Sequence, residues 1–129
     1  MVRRFGGLRA GGSDGARFPK AERLRKRPEF LAVQTRGEAI RCGPLTLVVL
    51  PRRHGPRRVG ITVSRKVGNA VTRNRVKRWL REVWRHNREA LPESIDVVLI
   101  ARPSAAGAGY RALTRAFLDC ARRLREKAR

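Results

Sequence analysis

Along this 129-residue chain the spacing of apolar positions changes several times, and the changes mark out six elements. From Pro28 to about Thr35, Phe30, Leu31 and Val33 give a short helix an apolar side; Pro28 suits a first helical position and Gly37 stops the run. Leu45 to Leu50 (LTLVVL) is a continuous aliphatic stretch, short enough for a buried strand. After a basic loop from Pro51 to Pro56, Val59, Ile61 and Val63 alternate with Arg58, Gly60 and Thr62, which predicts a strand over Arg58 to Ser64. A turn over Arg65 to Asn69 leads to a helix from about Ala70 to Asn87, with Asn69 as its N-cap. Beyond Pro92, Asp96 to Ala101 (DVVLIA) reads as a third strand. A loop of small residues, Arg102 to Gly109, then precedes a last helix from Tyr110 to Lys127, whose Leu113, Ala116, Phe117, Cys120 and Leu124 share one side.

The order is helix, strand, strand, helix, strand, helix, an α+β sheet with helices packed on it. There is no internal repeat, and the length suits one domain, placed at residues 21–129. Residues 1–20 are rich in Gly and basic residues and have no hydrophobic period, so they read as a flexible basic arm.

Charge narrows the function. Thirty-two Lys and Arg against ten Asp and Glu leave +22. A folded domain so charged repels itself and calls for a polyanionic partner: RNA, DNA or an anionic membrane. No stretch approaches the roughly 18 apolar residues of a spanning helix, and no apolar segment follows the basic N-terminus as in a secretory signal. A cytoplasmic protein is expected. Cys42 and Cys120 are far apart and read as reduced thiols. The acids form no pair placed for proton transfer, and His54 and His86 share no ligand spacing with the cysteines. Neither a catalytic nor a metal-ligating side chain is expected.

The most informative stretch is Lys66 to Arg85, KVGNAVTRNRVKRWLREVWR. On a helical wheel Val76, Trp79, Leu80 and Val83, with Thr72 among them, share one broad face. Asn74, Lys77, Arg78, Arg81 and Arg85 take the opposite face, with Arg75 beside them. Solvated helix faces usually mix charge signs. Here Glu82 is the only acid among seven basic residues between Arg73 and Arg88, a density of repulsion that phosphates would offset. At the helix entrance Lys66, Gly68 and Asn69 lead to free backbone N–H groups that favour phosphate, although Gly68 could equally serve only the turn.

The run Gly60-x-x-Val63-Ser64-x-Lys66-x-Gly68-x-Ala70-Val71-x-Arg73-Asn74-Arg75-x-Lys77-Arg78-x-x-Arg81-Glu82 resembles the signature of the bacterial ribonuclease P protein family, with Arg73-Asn74-Arg75 at its centre. The resemblance extends over roughly residues 22 to 127. It implies a two-layer α/β sandwich with a central mixed sheet and a left-handed βαβ crossover, a type also found in a ribosomal-protein domain; the strand pattern alone would suggest a right-handed one.

The resemblance also implies a division of labour. The catalytic centre would lie in an RNA subunit, which, with Mg²⁺ bound mainly by that RNA and the substrate, removes the 5′ leader of precursor tRNA. Arg73, Asn74, Arg75, Lys77, Arg78 and Arg81 would contact the RNA subunit, one protein to one RNA, with higher oligomers open. Phe30, Arg65 and Lys66 would contact the leader, with Phe30 equally readable as a plain core residue. Gln34 and Val48 stand where the family often has aromatic residues. Stacking on such residues stabilises by about 1–3 kcal/mol per base, so leader binding here would lean on Arg and backbone contacts.

Three alternatives stay open on the residues alone. A ribosomal RNA binder would share the charge and the basic arm. A stand-alone nuclease would need clustered carboxylates or His. A DNA reader would need more than Arg and Lys on its outer helix face.

Overall fold

The computed structural model describes residues 22–127; the basic arm expected over residues 1–20 lies outside them. Seven elements follow one another: α1 (Arg27–Arg36), β1 (Glu38–Cys42), β2 (Leu45–Pro51), β3 (Arg58–Val63), α2 (Ala70–Asn87), β4 (Ile95–Ala101) and α3 (Ala105–Lys127). The strands form one mixed sheet in the order β1-β2-β4-β3. β1–β2 and β2–β4 are antiparallel, and β3–β4 is the parallel pair spanned by α2. This is the α+β architecture expected.

Strand β1 corrects the sequence reading, which had none there. Only Ile40 and Cys42 turn inward, while Glu38, Ala39 and Arg41 are exposed, so five residues at a sheet edge carry too little apolar signal to stand out. The loop expected over Arg102 to Gly109 is also partly helical. One turn forms from Ala105, the backbone breaks at Gly109 (φ 88°), and the long part of α3 begins at Tyr110 as expected.

The alternation in β3 settles which residues face which helix. Val59, Ile61 and Val63 join Leu45, Leu47, Val49, Val97 and Leu99 against α2 and α3 in the main core. On the other sheet face Val48 and Val98 pack with Leu24, Phe30 and Val33, the inner side of α1. Leu31, expected on that inner side, is exposed.

α1 is fixed at both ends. The Glu29 carboxylate accepts from the backbone N–H of Arg25 (2.8 Å) and Lys26 (3.0 Å), and Gly37 N–H donates to Val33 O at 2.7 Å. Glu29 also pairs with Arg58 (3.3 Å), which grips Asp96 through two hydrogen bonds of 2.8 Å. This pairing ties the start of α1 to the first residues of β3 and β4. Among the described residues no helix is long and apolar enough to cross a membrane.

Candidate nucleic-acid interface

The entrance to α2 is a rigid turn. Ser64 caps it, its hydroxyl accepting from Lys66 N–H (3.3 Å), and Val67 plugs into the core, leaving Arg65 and Lys66 exposed. Gly68 then takes φ 155°, ψ −166°, a region essentially open only to glycine. Asn69 Oδ1 accepts from Thr72 N–H at 2.9 Å, the cap read from the sequence. Arg73 closes the turn by donating from Nη1 to Gly68 O at 2.9 Å.

Helix α2 buries Val76, Leu80, Val83 and Trp84. Trp84 was not placed on the apolar face by the wheel, whereas Trp79, which was, is only half-buried. The buried stripe is thus turned by roughly 40° from the wheel's centre, at 100° per residue. Packing explains the turn: α3 lies along that flank, and the Phe117 ring meets Trp84 edge-on with 6.3 Å between centroids. Trp79 is left at the opposite margin, where the Arg75 guanidinium lies 5.5 Å from its ring centroid.

The same rotation sorts the six expected RNA-subunit contacts. Asn74, Arg75 and Arg78 are exposed, in a stripe with Val71, which is 73% exposed. Lys77 and Arg81 are half-buried and engaged within the protein, and Arg73 is half-buried against the entrance turn. Further along, Arg85 pairs with Glu82 at 2.7 Å and Arg88 with Glu22 at 3.5 Å. The open positive charge of α2 therefore sits in its first half, next to Arg65 and Lys66.

Phe30, expected at the leader cleft, is 7% exposed. Its ring lies over Gly60, beneath α1. Val48 is buried at the same level, and Gln34 is exposed on α1. In the next row of the sheet, Thr46 pairs with Ile100 and Ile100 with Thr62, a short polar-edged floor reaching Arg41 on β1. The sequence reading had not placed this row, because Thr46 and Ile100 sit inside aliphatic runs and only strand parity assigns them to a face.

His54 and His86 are exposed, the latter 3.2 Å from Glu82. Cys42 and Cys120 are free and buried, and burial, with Cys42 beside it, pushes the Cys120 thiol far up. Among the described residues no three His, Cys, Asp or Glu side chains gather as metal ligands would.

The comparison with known proteins decides what this basic entrance and helix belong to. The family model for ribonuclease P matches residues 18–125. The chain belongs to the ribonuclease P protein family. Similar relatives include the ribonuclease P protein component of Citrifermentans bemidjiense, 39% identical over 110 residues, 85% of this chain and 94% of the relative. That of Desulfatibacillum aliphaticivorans is 44% identical over 85 residues, 66% of this chain and 72% of the relative. Among solved structures, the ribonuclease P protein of Thermotoga maritima superposes with a TM-score of 0.71 at 30% identity, covering 79% of this chain and 96% of that one. As a ribonuclease P protein component, the chain is the protein part of a tRNA-processing endoribonuclease, and that membership implies a partner RNA subunit.

Proposed function

We propose that this ribonuclease P protein binds its RNA subunit through the first half of α2 and the 5′ leader of precursor tRNA through the sheet face beside α1. The observation that carries the reading is the stripe Asn74, Arg75 and Arg78. It is exposed, free of acids, and joined to Arg65 and Lys66 by a turn that Ser64, Gly68, Asn69 and Arg73 hold rigid. Guanidinium groups fork onto phosphate oxygens without reading sequence, which suits a folded RNA partner. Lys77, Arg81 and Arg73 flank this stripe and complete the contact with the RNA subunit.

Arg65 and Lys66 stand between the α2 entrance and the row Thr46, Ile100 and Thr62 of the sheet, where they meet the leader near the scissile phosphate. Phe30 forms the inner wall of that cleft and holds α1 at its distance from the sheet. With Val48 buried and Gln34 polar, leader contacts rest on Arg, Thr and backbone groups rather than on stacked bases.

The chemistry belongs to the RNA in this reading. Hydrolysis of the phosphodiester frees the leader and leaves the mature tRNA 5′ end, with Mg²⁺ held mainly by the RNA subunit and the substrate. Of the carboxylates of the described residues, Glu29, Asp96, Glu22 and Glu82 are already engaged by arginines, which suits a protein that positions and does not ligate. The complex is one protein to one RNA, and its setting is the cytoplasm.

The test is cleavage of precursor tRNA at low Mg²⁺ by the RNA subunit, with and without the protein. Strong stimulation by a protein that cleaves nothing alone is the expected result. Tight RNA binding with no stimulation would instead mark a structural RNA binder.

A further inference from the structure

We propose that α3 carries a second contact for the phosphate backbone of the RNA subunit, through Arg111 and Arg115. The proposal rests on the reading of α2 given above and extends its footprint to a neighbouring helix.

The basic side chains of α3 fall into two groups, engaged and open. Of its six basic side chains, the last four are engaged within the protein. Arg122 pairs with Asp119 and Glu126, Arg123 with Asp119 and with the carbonyl of Arg41, Arg125 with the carbonyl of Ala90, and Lys127 with Glu38. Arg111 and Arg115 are exposed, four residues apart on one stripe, and among the described residues neither has a hydrogen-bond or ion-pair partner. Two like charges at that spacing repel, so the pair is unfavourable for the isolated helix.

Topology then brings these two arginines to the end of the molecule where α2 is also open. Because β3 and β4 are parallel neighbours, α2 and α3 leave the same end of the sheet. They run on side by side: Trp84 meets Phe117, and past the end of α2 the Ala90 carbonyl accepts from Arg125. The acids of both helices, Glu82 on α2 and Asp119 and Glu126 on α3, fall in their second halves. The first halves present Arg75 and Arg78 on one helix and Arg111 and Arg115 on the other, with exposed Arg102 leading into α3. A merely solvated surface would mix signs along each helix. Here the acids are confined to the second halves, each beside basic side chains, and the first halves of both helices carry basic groups alone, which suits an extended polyanion beside them. The partner is the RNA that α2 contacts, since one folded backbone can bridge adjacent helices.

The experiment uses the full chain and its cognate RNA subunit, with three double variants compared at about 0.15 M salt and along a salt series. Arg111→Ala/Arg115→Ala is expected to weaken binding by about tenfold and to make the log–log salt slope shallower by about 1.4, two phosphates at the single-strand coefficient. Arg122→Ala/Arg123→Ala removes the same charge from engaged positions and should change affinity by less than about threefold. Thermal melts confirm that each variant folds. Equal weakening by both doubles would reduce the effect to net charge, and an unchanged Arg111/Arg115 double would remove the α3 contact; either overturns the proposal. Arg73→Ala/Arg75→Ala separates the two readings. If that double weakens binding and the α3 double does not, only the extension fails; if the reverse holds, the α3 contact stands and the α2 reading falls.

Discussion

The ring of Phe30 lies so close to the backbone of Gly60 that a β-carbon at Gly60 would come within 2.3 Å of two ring carbons. Gly60 pairs in register with Val98, and Val98 with Val48, so the ring rests at the β3 end of a row that crosses the sheet. One side chain thereby sets the height of α1 above the sheet, and with it the depth of the neighbouring row, in which Thr46 is buried and Ile100 and Thr62 are half-buried.

Gly60→Ala is therefore expected to force the ring and α1 outward, costing about 1–3 kcal/mol as overpacking does. Urea unfolding reads that cost. In the assembled enzyme the same variant should lose part of its preference for precursor over mature tRNA while binding the RNA subunit normally. Adding Phe30→Leu removes the ring that clashes, so the double variant should be less destabilised than the two single costs summed. Strict additivity would mean the ring and the glycine do not restrain each other.

The tie between α1 and the sheet also sets an acid limit. Burial pushes the Glu29 carboxyl up, but the backbone N–H groups of Lys26 and Arg25 and then the charge of Arg58 outweigh it, leaving its pKa below the ordinary glutamate value of 4.5. A depressed folded pKa means stability that is present above 4.5 and lost as pH falls through the lower, folded value. Glu22 works with the opposite sign, since burial raises its pKa. Glu29→Gln should lower stability near neutral pH by about 1 kcal/mol, the worth of a cap interaction. It should also flatten the acid side of the stability curve, followed as the urea midpoint between neutral pH and pH 3. An unchanged acid limb would show that Glu29 does not set it.

At the other end of the sheet the entrance turn depends on Gly68. Its φ of 155° strains any other residue, and an added β-carbon would meet Thr72 Cγ2 at 2.9 Å. Gly68→Ala should cost about 1–3 kcal/mol of stability. It should also weaken RNA-subunit binding, because Lys66 on one side and the α2 cap on the other shift together. Melting and RNA titration on the same sample check both, and a stable variant with full affinity would show that the turn tolerates another backbone path.

How far the sequence disclosed this arrangement depends on where the information lay. Helix α2 and its approximate bounds were legible, because Asn69 and the 3.6-residue period are local signals. Strand β1 was not, since an edge strand with two inward residues gives almost no period. The buried stripe of α2 was read off-centre because Trp84 is held by Phe117, 33 positions later, and no local pattern records such a partner. The site inherited that error: Lys77 and Arg81 looked as open as Arg78 on the wheel but are half-buried. That Arg58 is already engaged by Asp96 and Arg88 by Glu22 was equally hidden, because these pairs are long-range, unlike the local Glu82–Arg85 pair and those of Asp119 and Glu126 on α3.

That last distinction leads to a comparison within α2 and its end. Arg73→Ala/Arg75→Ala strips groups at the open end, neither at the centre of the buried stripe, so RNA-subunit affinity should drop while stability falls by only about 1 kcal/mol, the worth of the Arg73–Gly68 hydrogen bond. Arg85→Ala/Arg88→Ala strips groups held by Glu82 and Glu22. Arg88 is only 13% exposed, and its loss leaves the Glu22 carboxylate, already disfavoured by burial, without its nearest cation. That variant should lose about 1–3 kcal/mol of stability and keep most of its RNA affinity. If about six cations of the α2 region meet phosphates, they should contribute about −4 to the wild-type slope of log affinity against log salt, beside the share of Arg111 and Arg115. The Arg73/Arg75 variant should give a shallower slope and the Arg85/Arg88 variant the wild-type one. The opposite pattern, with slope lost at Arg85 and Arg88, would move the RNA to the far end of the helix.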